Sequence, residues 1–207
     1  MIYSKPISKK KLTEDELNRK NIYSCPQTLF KLHPDFDQII FDILDKDQKA
    51  IVYFLKDKNK VWYKKLINRL NKNKKYDSNR IIFLDPLNYN DYLLHLGRAS
   101  VLLDPIYYGA GNSFFESMLF GTPSVTLPTD HIKSRLVLGA YKQMNIKDPP
   151  IAKDTQNYVN LAINYANRDD ISELKKKYRK AAEEKLFNTK KAGEEFNQAI
   201  LNLFNLN

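Results

Sequence analysis

The chain has 207 residues, enough for one domain with a buried core, and its 43% hydrophobic and 12% aromatic content argues against intrinsic disorder. No run of about 18 apolar residues occurs, so no membrane-spanning helix is expected, and residues 1–20 are lysine-rich without the apolar stretch of a secretory signal. The net charge of +10 suits a phosphate-bearing partner, but the lysines are scattered through helical stretches such as Ser172 to Lys185, the pattern of a solvated surface rather than a nucleic-acid patch.

The elements alternate along the chain. Ile22 to Cys25 reads as a short strand closed by Pro26. Pro34 opens a helix in which Phe36, Ile39, Ile40, Ile43 and Leu44 recur at helical spacing. Ala50 to Leu55 is a compact apolar strand, and Val61, Trp62, Leu66, Ile67 and Leu70 mark an amphipathic helix. A third strand spans Arg80 to Leu84, with Asp85-Pro86 ending it. A helix carrying Tyr92, Leu93, Leu96 and Ala99 precedes a strand at Val101 to Asp104. A glycine-containing loop, a helix from Ser113 to Leu119 and a strand from Ser124 to Leu127 follow. The remainder reads as helical, broken at Asp148-Pro149-Pro150.

Strands that are nearly continuous in apolar residues and alternate with helices predict an α/β fold, a Rossmann-like doubly wound parallel sheet covered on both faces. Ligands of such sheets bind beyond the carboxyl ends of the strands. That rule points to Pro26 to Lys31, Asp85 to Asn90, and Asp104 to Glu116.

The third segment is the richest. Gly109 and Gly111 permit a tight turn and close approach to a ligand, and the unpaired amides of the following helix start favour an anion such as a diphosphate. Asn112 and Ser113 add side-chain hydrogen bonds, and Glu116 is placed to accept from a ribose. Ser113-Phe114-Phe115-Glu116 also fits a capping box, in which serine and glutamate serve only the helix start. The third glycine of the dinucleotide fingerprint is missing, which disfavours a nicotinamide cofactor.

Leu103-Asp104-Pro105, the Gly-Ala-Gly-Asn-Ser loop with Glu116, and Phe120 to Pro128 together resemble the carboxyl-terminal, nucleotide-sugar-binding domain of the O-linked N-acetylglucosamine transferase and SPINDLY glycosyltransferase family. Cys25 to Lys31 followed by Pro34, Asn79 to Phe83, and Leu186 to Lys190 agree in order and spacing, so the likeness runs from Ile22 to Phe204. It implies the C-terminal half of a GT-B glycosyltransferase, with residues 1–20 as an N-terminal extension and 21–207 as the nucleotide-sugar-binding domain with C-terminal helices.

The same resemblance implies metal-independent, inverting transfer from a nucleoside diphosphate sugar, with UDP-N-acetylglucosamine first in line, to a protein Ser or Thr. It implies no cofactor beyond that donor. Lys31 takes the catalytic role of stabilising the departing diphosphate. Gln27 and Thr28 lie on the phosphate side, and Gly111, Asn112 and Ser113 form the phosphate loop. Glu116 takes the ribose, and Leu87, Tyr89 and Tyr92 border the base. Well-known members carry His-Thr-Thr at Gly111-Asn112-Ser113, Asp at Glu116, and a phosphate-side glutamine at the place of Thr28. The expected partners are the nucleotide sugar and an N-terminal acceptor-binding half or helical-repeat protein. A membrane is not expected, nucleic acid is disfavoured, and the location is expected to be cytoplasmic. The other readings are an inactive nucleotide-sugar-binding module and a basic nucleic-acid-binding domain.

Other candidates carry less. His33, His95 and His131 have no second ligand at metal spacing, so no metal site is expected. Asp35-Phe36-Asp37 and Asp45-Lys46-Asp47 sit at helix ends, where capping accounts for them. Cys25 reads as a buried strand thiol. Ala192, Phe196, Ile200, Leu203 and Phe204 form an apolar stripe, expected to be exposed near Phe196 and Phe204 and to await another chain.

Overall fold

The computed structural model describes residues 4–204 and contains one five-stranded parallel sheet. The strands are β1 (Ile22–Cys25), β2 (Ile51–Leu55), β3 (Ile81–Leu84), β4 (Val101–Leu103) and β5 (Ser124–Val125), in the order β3-β2-β1-β4-β5. The predicted strands exist in these places, β1 with the expected bounds and the other four shorter by one or two residues. At β5 the shortening has a visible cause: Thr126 leaves its neighbour in the sheet to bridge Ile151.

The crossovers are helical, as parallel pairing requires. They are α2 (Pro34–Lys46), α3 (Val61–Leu70), α4 (Tyr89–Arg98) and α5 (Asn112–Ser117); α1 (Glu14–Leu17) precedes the sheet, and α6 (Leu136–Met144), α7 (Thr155–Ala166), α8 (Ile171–Lys185) and α9 (Thr189–Leu203) follow it. The start of α2 shows why it begins there: Pro34 occupies the first turn, and the His33 side chain accepts the Asp35 amide. Asp57 does the same for α3, accepting amides from Val61, Trp62 and Tyr63.

Alternation within the strands sends side chains to two faces. Tyr23, Cys25, Val52, Phe54, Val101 and Leu103 join α2, α3 and α7 in the main core, whereas Leu102 packs with Leu93 and Leu96 of α4 on the other side. Helices therefore cover both faces. The direction of winding reverses between β1 and β4, and loops leaving neighbouring strands diverge there, opening a crevice. No helix among the described residues is long and apolar enough to cross a membrane.

Two features outside the sheet matter. The stripe on α9 is exposed as expected, with Phe196 and Phe204 each 67% accessible. Lys175 corrects the expectation of a solvated lysine face on α8. It is 1% exposed, and its Nζ donates to the carbonyls of Leu17 and Gly97, at the C-terminal ends of α1 and α4. Those helix ends favour a cation, yet burial dominates and draws the Lys175 pKa from 10.5 down to about 7.

The unfolded lysine keeps its proton well above pH 7. Between about pH 7 and 9 the unfolded chain therefore binds more protons than the native one, and stability rises with pH. Melting followed by circular dichroism should show that rise, and Lys175→Met should flatten it. A wild-type melting temperature constant across this range would contradict the assignment.

Candidate functional site

β1 ends at Cys25, and Pro26, which has no amide hydrogen, terminates the ladder there. The chain then folds into a 3-10 turn, Leu29–Lys31, that brings Lys31 back over the end of the sheet. From the adjacent β4 the loop 104–111 rises to meet it and runs into α5. Between the two segments lies an open cavity of about 500 Å³.

The structure brings most of the expected residues together there. Gln27, Thr28, Lys31, Tyr92, Gly111, Asn112, Ser113 and Glu116 all line the cavity, joined by Tyr108, Gly109 and Leu136. Tyr89 stands at its edge, exposed, with its ring stacked on Tyr92 at 6.4 Å. Leu87 is exposed and does not line the cavity.

Lys31 is the centre of the arrangement. Its Nζ donates to Gln27 Oε1 at 3.0 Å and to the Gly109 carbonyl at 3.3 Å, and stands 4.5 Å from the centre of the Tyr108 ring. Among the described residues no carboxylate forms an ion pair with it. Burial lowers its pKa, against the opposing charge of Asp104 beneath the loop. Gln27 ties the two segments directly, with Nε2 donating to Ser113 Oγ.

Ser113 and Glu116 do not form the capping box that their spacing allows. Gly111 is the N-cap and supplies no side chain, so Ser113 is free to meet Gln27 while Glu116 Oε2 accepts from the Tyr92 hydroxyl at 3.2 Å. α5 has only six residues, and Lys31 adds a full positive charge beside its start.

Sequence reasoning missed three contributors. Lys133 stands 5.4 Å from the other contact of Lys31, the Tyr108 ring, and its carbonyl accepts the Gly109 amide. Tyr108 itself meets Phe30, which meets Trp62, making a half-exposed aromatic band beside the cavity. Asp104, buried under the loop, is the third. Only Asp104 had a signal, a carboxylate at the end of an otherwise apolar strand.

The remaining candidates have structural partners. His33 caps α2, and His95 is half-buried against Ser24 Oγ at 2.7 Å, its pKa drawn down to about 4 by desolvation. Asp37 pairs with Arg69, and Asp47 accepts from Tyr23, Asn21 and Asn167. The described residues contain no group of three metal-ligating side chains.

The family model of glycosyl transferase family 41 matches residues 9–196. Comparison with curated protein sequences gave no match. Among solved structures, an O-GlcNAc transferase mutant from Thermobaculum terrenum superposes with a TM-score of 0.74 at 16% identity, over 87% of this chain and 36% of that one. TarM of S. aureus, in complex with fondaparinux, alpha-GlcNAc-glycerol and UDP, gives 0.68 at 15% identity, over 99% and 38%. The pneumococcal O-GlcNAc transferase GtfA, with UDP and GlcNAc, gives 0.55 at 14% identity, over 98% and 38%. At such identities the likeness is one of fold, and the fold is that of one half of a GT-B glycosyltransferase. The chain spans little more than a third of the length of these structures.

Proposed function

The chain belongs to glycosyl transferase family 41, and on that premise we propose that its cavity holds the diphosphate of a nucleotide sugar, UDP-N-acetylglucosamine first among candidates, for inverting transfer to a protein Ser or Thr. The observation that carries this reading is Lys31: an ammonium without an ion-pair partner, among the described residues, held against the Gly109 carbonyl in the cavity that Gly111 and Asn112 also line.

In the proposed reaction the acceptor oxygen attacks the anomeric carbon as its bond to the diphosphate oxygen breaks. The charge appears on the leaving diphosphate, where Lys31 meets it, and electrostatic stabilisation of this kind supplies several kcal/mol. Glu116, with Tyr92 beside it, takes the ribose hydroxyls, and the Tyr89–Tyr92 pair borders the base. The acceptor proton passes to a base outside this domain, in an acceptor-holding half that completes the working enzyme. Lys31 does the work that a divalent cation does elsewhere, so metal independence is part of the proposal and turnover should survive EDTA. A cytoplasmic location belongs to the same reading, with the buried Cys25 as a reduced thiol.

Calorimetry with UDP, GDP and single-stranded RNA tests the binding step. UDP should bind, and Glu116→Gln should weaken it by about tenfold, the loss of one charged hydrogen-bond acceptor. Tight RNA binding with indifference to both nucleotides would overturn the proposal.

A further inference from the structure

The peptide joining Gly109 to Ala110 is held at both ends. Its carbonyl accepts from Lys31 Nζ at 3.3 Å, and its N–H donates to Asp104 Oδ1 at 2.5 Å. A cation thus stands at the negative end of the peptide dipole and a carboxylate at the positive end. Asp104 Oδ2 accepts from the Thr126 hydroxyl at 2.6 Å, while the Asp104 carbonyl accepts from the Tyr158 hydroxyl at 3.0 Å. The carboxyl is buried so closely that a Cβ on Gly109 would come within 2.9 Å of Oδ1.

The titratable groups facing Asp104 are Lys31 from the turn after β1, Cys25 from β1, Tyr141 from α6 and Tyr158 from α7. Burial holds the thiol and both phenols neutral far above their ordinary values. The same burial raises Asp104 to about 7, against its hydrogen bonds from Thr126 and Ala110 and the charge of Lys31.

We propose that Asp104 is the positioning carboxyl of the donor site: it clamps the Gly109–Ala110 peptide so that Lys31 faces the cavity, and it takes up a proton when a diphosphate binds. The proposal rests on the cavity being a nucleotide-sugar site. A diphosphate arriving at Lys31 brings negative charge toward the carboxylate and disfavours its ionised form. Protonated, the carboxyl keeps both contacts, because the Thr126 hydroxyl turns to accept from it. Clamp and charge are therefore separable. Asparagine retains the clamp without the charge, and alanine retains neither.

UDP-N-acetylglucosamine is the probe, since its diphosphate does not titrate near neutrality. Wild-type affinity should fall about tenfold between about pH 6 and 8.5, as expected for a pKa raised by about one unit on binding. Calorimetry in two buffers of different ionisation heat should show proton uptake at about pH 7.5. Asp104→Asn should bind with little pH dependence, and Asp104→Ala, equally insensitive to pH, should bind about tenfold more weakly than Asp104→Asn. In the ligand-free protein the Ala110 amide resonance should titrate together with the Asp104 carboxyl carbon, and Asp104→Asn should abolish that titration. An asparagine variant with the wild-type pH profile, an alanine variant as tight as the asparagine variant, or an amide indifferent to pH would each overturn the proposal. If the amide titrates but no nucleotide sugar binds, the clamp stands and the donor reading fails.

Discussion

Lys31→Ala should cut sugar transfer by about a hundredfold to a thousandfold, the scale seen when one preorganised donor to a developing anion is removed. The assay is run with an acceptor-holding half present, as the proposed reaction requires. In the isolated chain the same substitution should weaken UDP. Stability should hardly change: Lys31 is partly buried but makes no ion pair among the described residues, and the acceptors it leaves, Gln27 Oε1 and the Gly109 carbonyl, line an open cavity that water reaches. Arginine should not rescue, since a planar guanidinium does not reproduce a compact ammonium wedged between those oxygens and the Tyr108 ring. Wild-type turnover in the alanine variant would remove Lys31 from the chemistry.

Gly121→Ala should destabilise the fold by about 4 kcal/mol or more, lowering the melting temperature by about 10 °C. Gly121 has φ +73°, and an added Cβ would fall 1.9 Å from the Lys175 carbonyl oxygen and 2.8 Å from the Arg179 amide. Both are backbone atoms inside α8, which cannot swing aside as the end of a flexible side chain would. The strained backbone adds a further cost. Gly139 in α6 is the control, because nothing lies within 4 Å of its added Cβ and alanine there favours the helix. Gly139→Ala should melt at or above the wild type, and equal melting of the two variants would contradict the contact geometry.

The sheet was legible because its strands are nearly continuous apolar runs, broken only by Ser24 in β1 and Ser124 in β5, and a parallel sheet buried on both faces needs such runs. Strand ends were less so. The apolar run predicts Asp104 as the end of β4, yet its side chain turns from the sheet to the loop, taking the Ala110 amide. Local spacing also misled at Ser113 and Glu116, whose partners are Gln27 and Tyr92, residues far away in the chain. The same limit hid Lys175. A lysine in a run of charged residues reads as solvated until the segments bearing Leu17 and Gly97 close over it. Lys31 was found through family resemblance, since a lysine after a short strand has no distinctive local pattern. In the structure it stands beside the loop after β4, with the Gly109 carbonyl within reach.

Lys31 and Gly109 are separated by 78 residues in the chain, and only the pairing of β1 with β4 makes them neighbours. Closing so long a loop costs entropy before any contact repays it, so this pairing should form late during folding. No short fragment can hold the cavity, since its two walls follow β1 and β4, which the chain separates by β2 and β3. Nucleotide affinity should therefore vanish with the cooperative unfolding of the sheet, and the Tyr23–Val101 ladder should exchange its amide hydrogens only through that global opening.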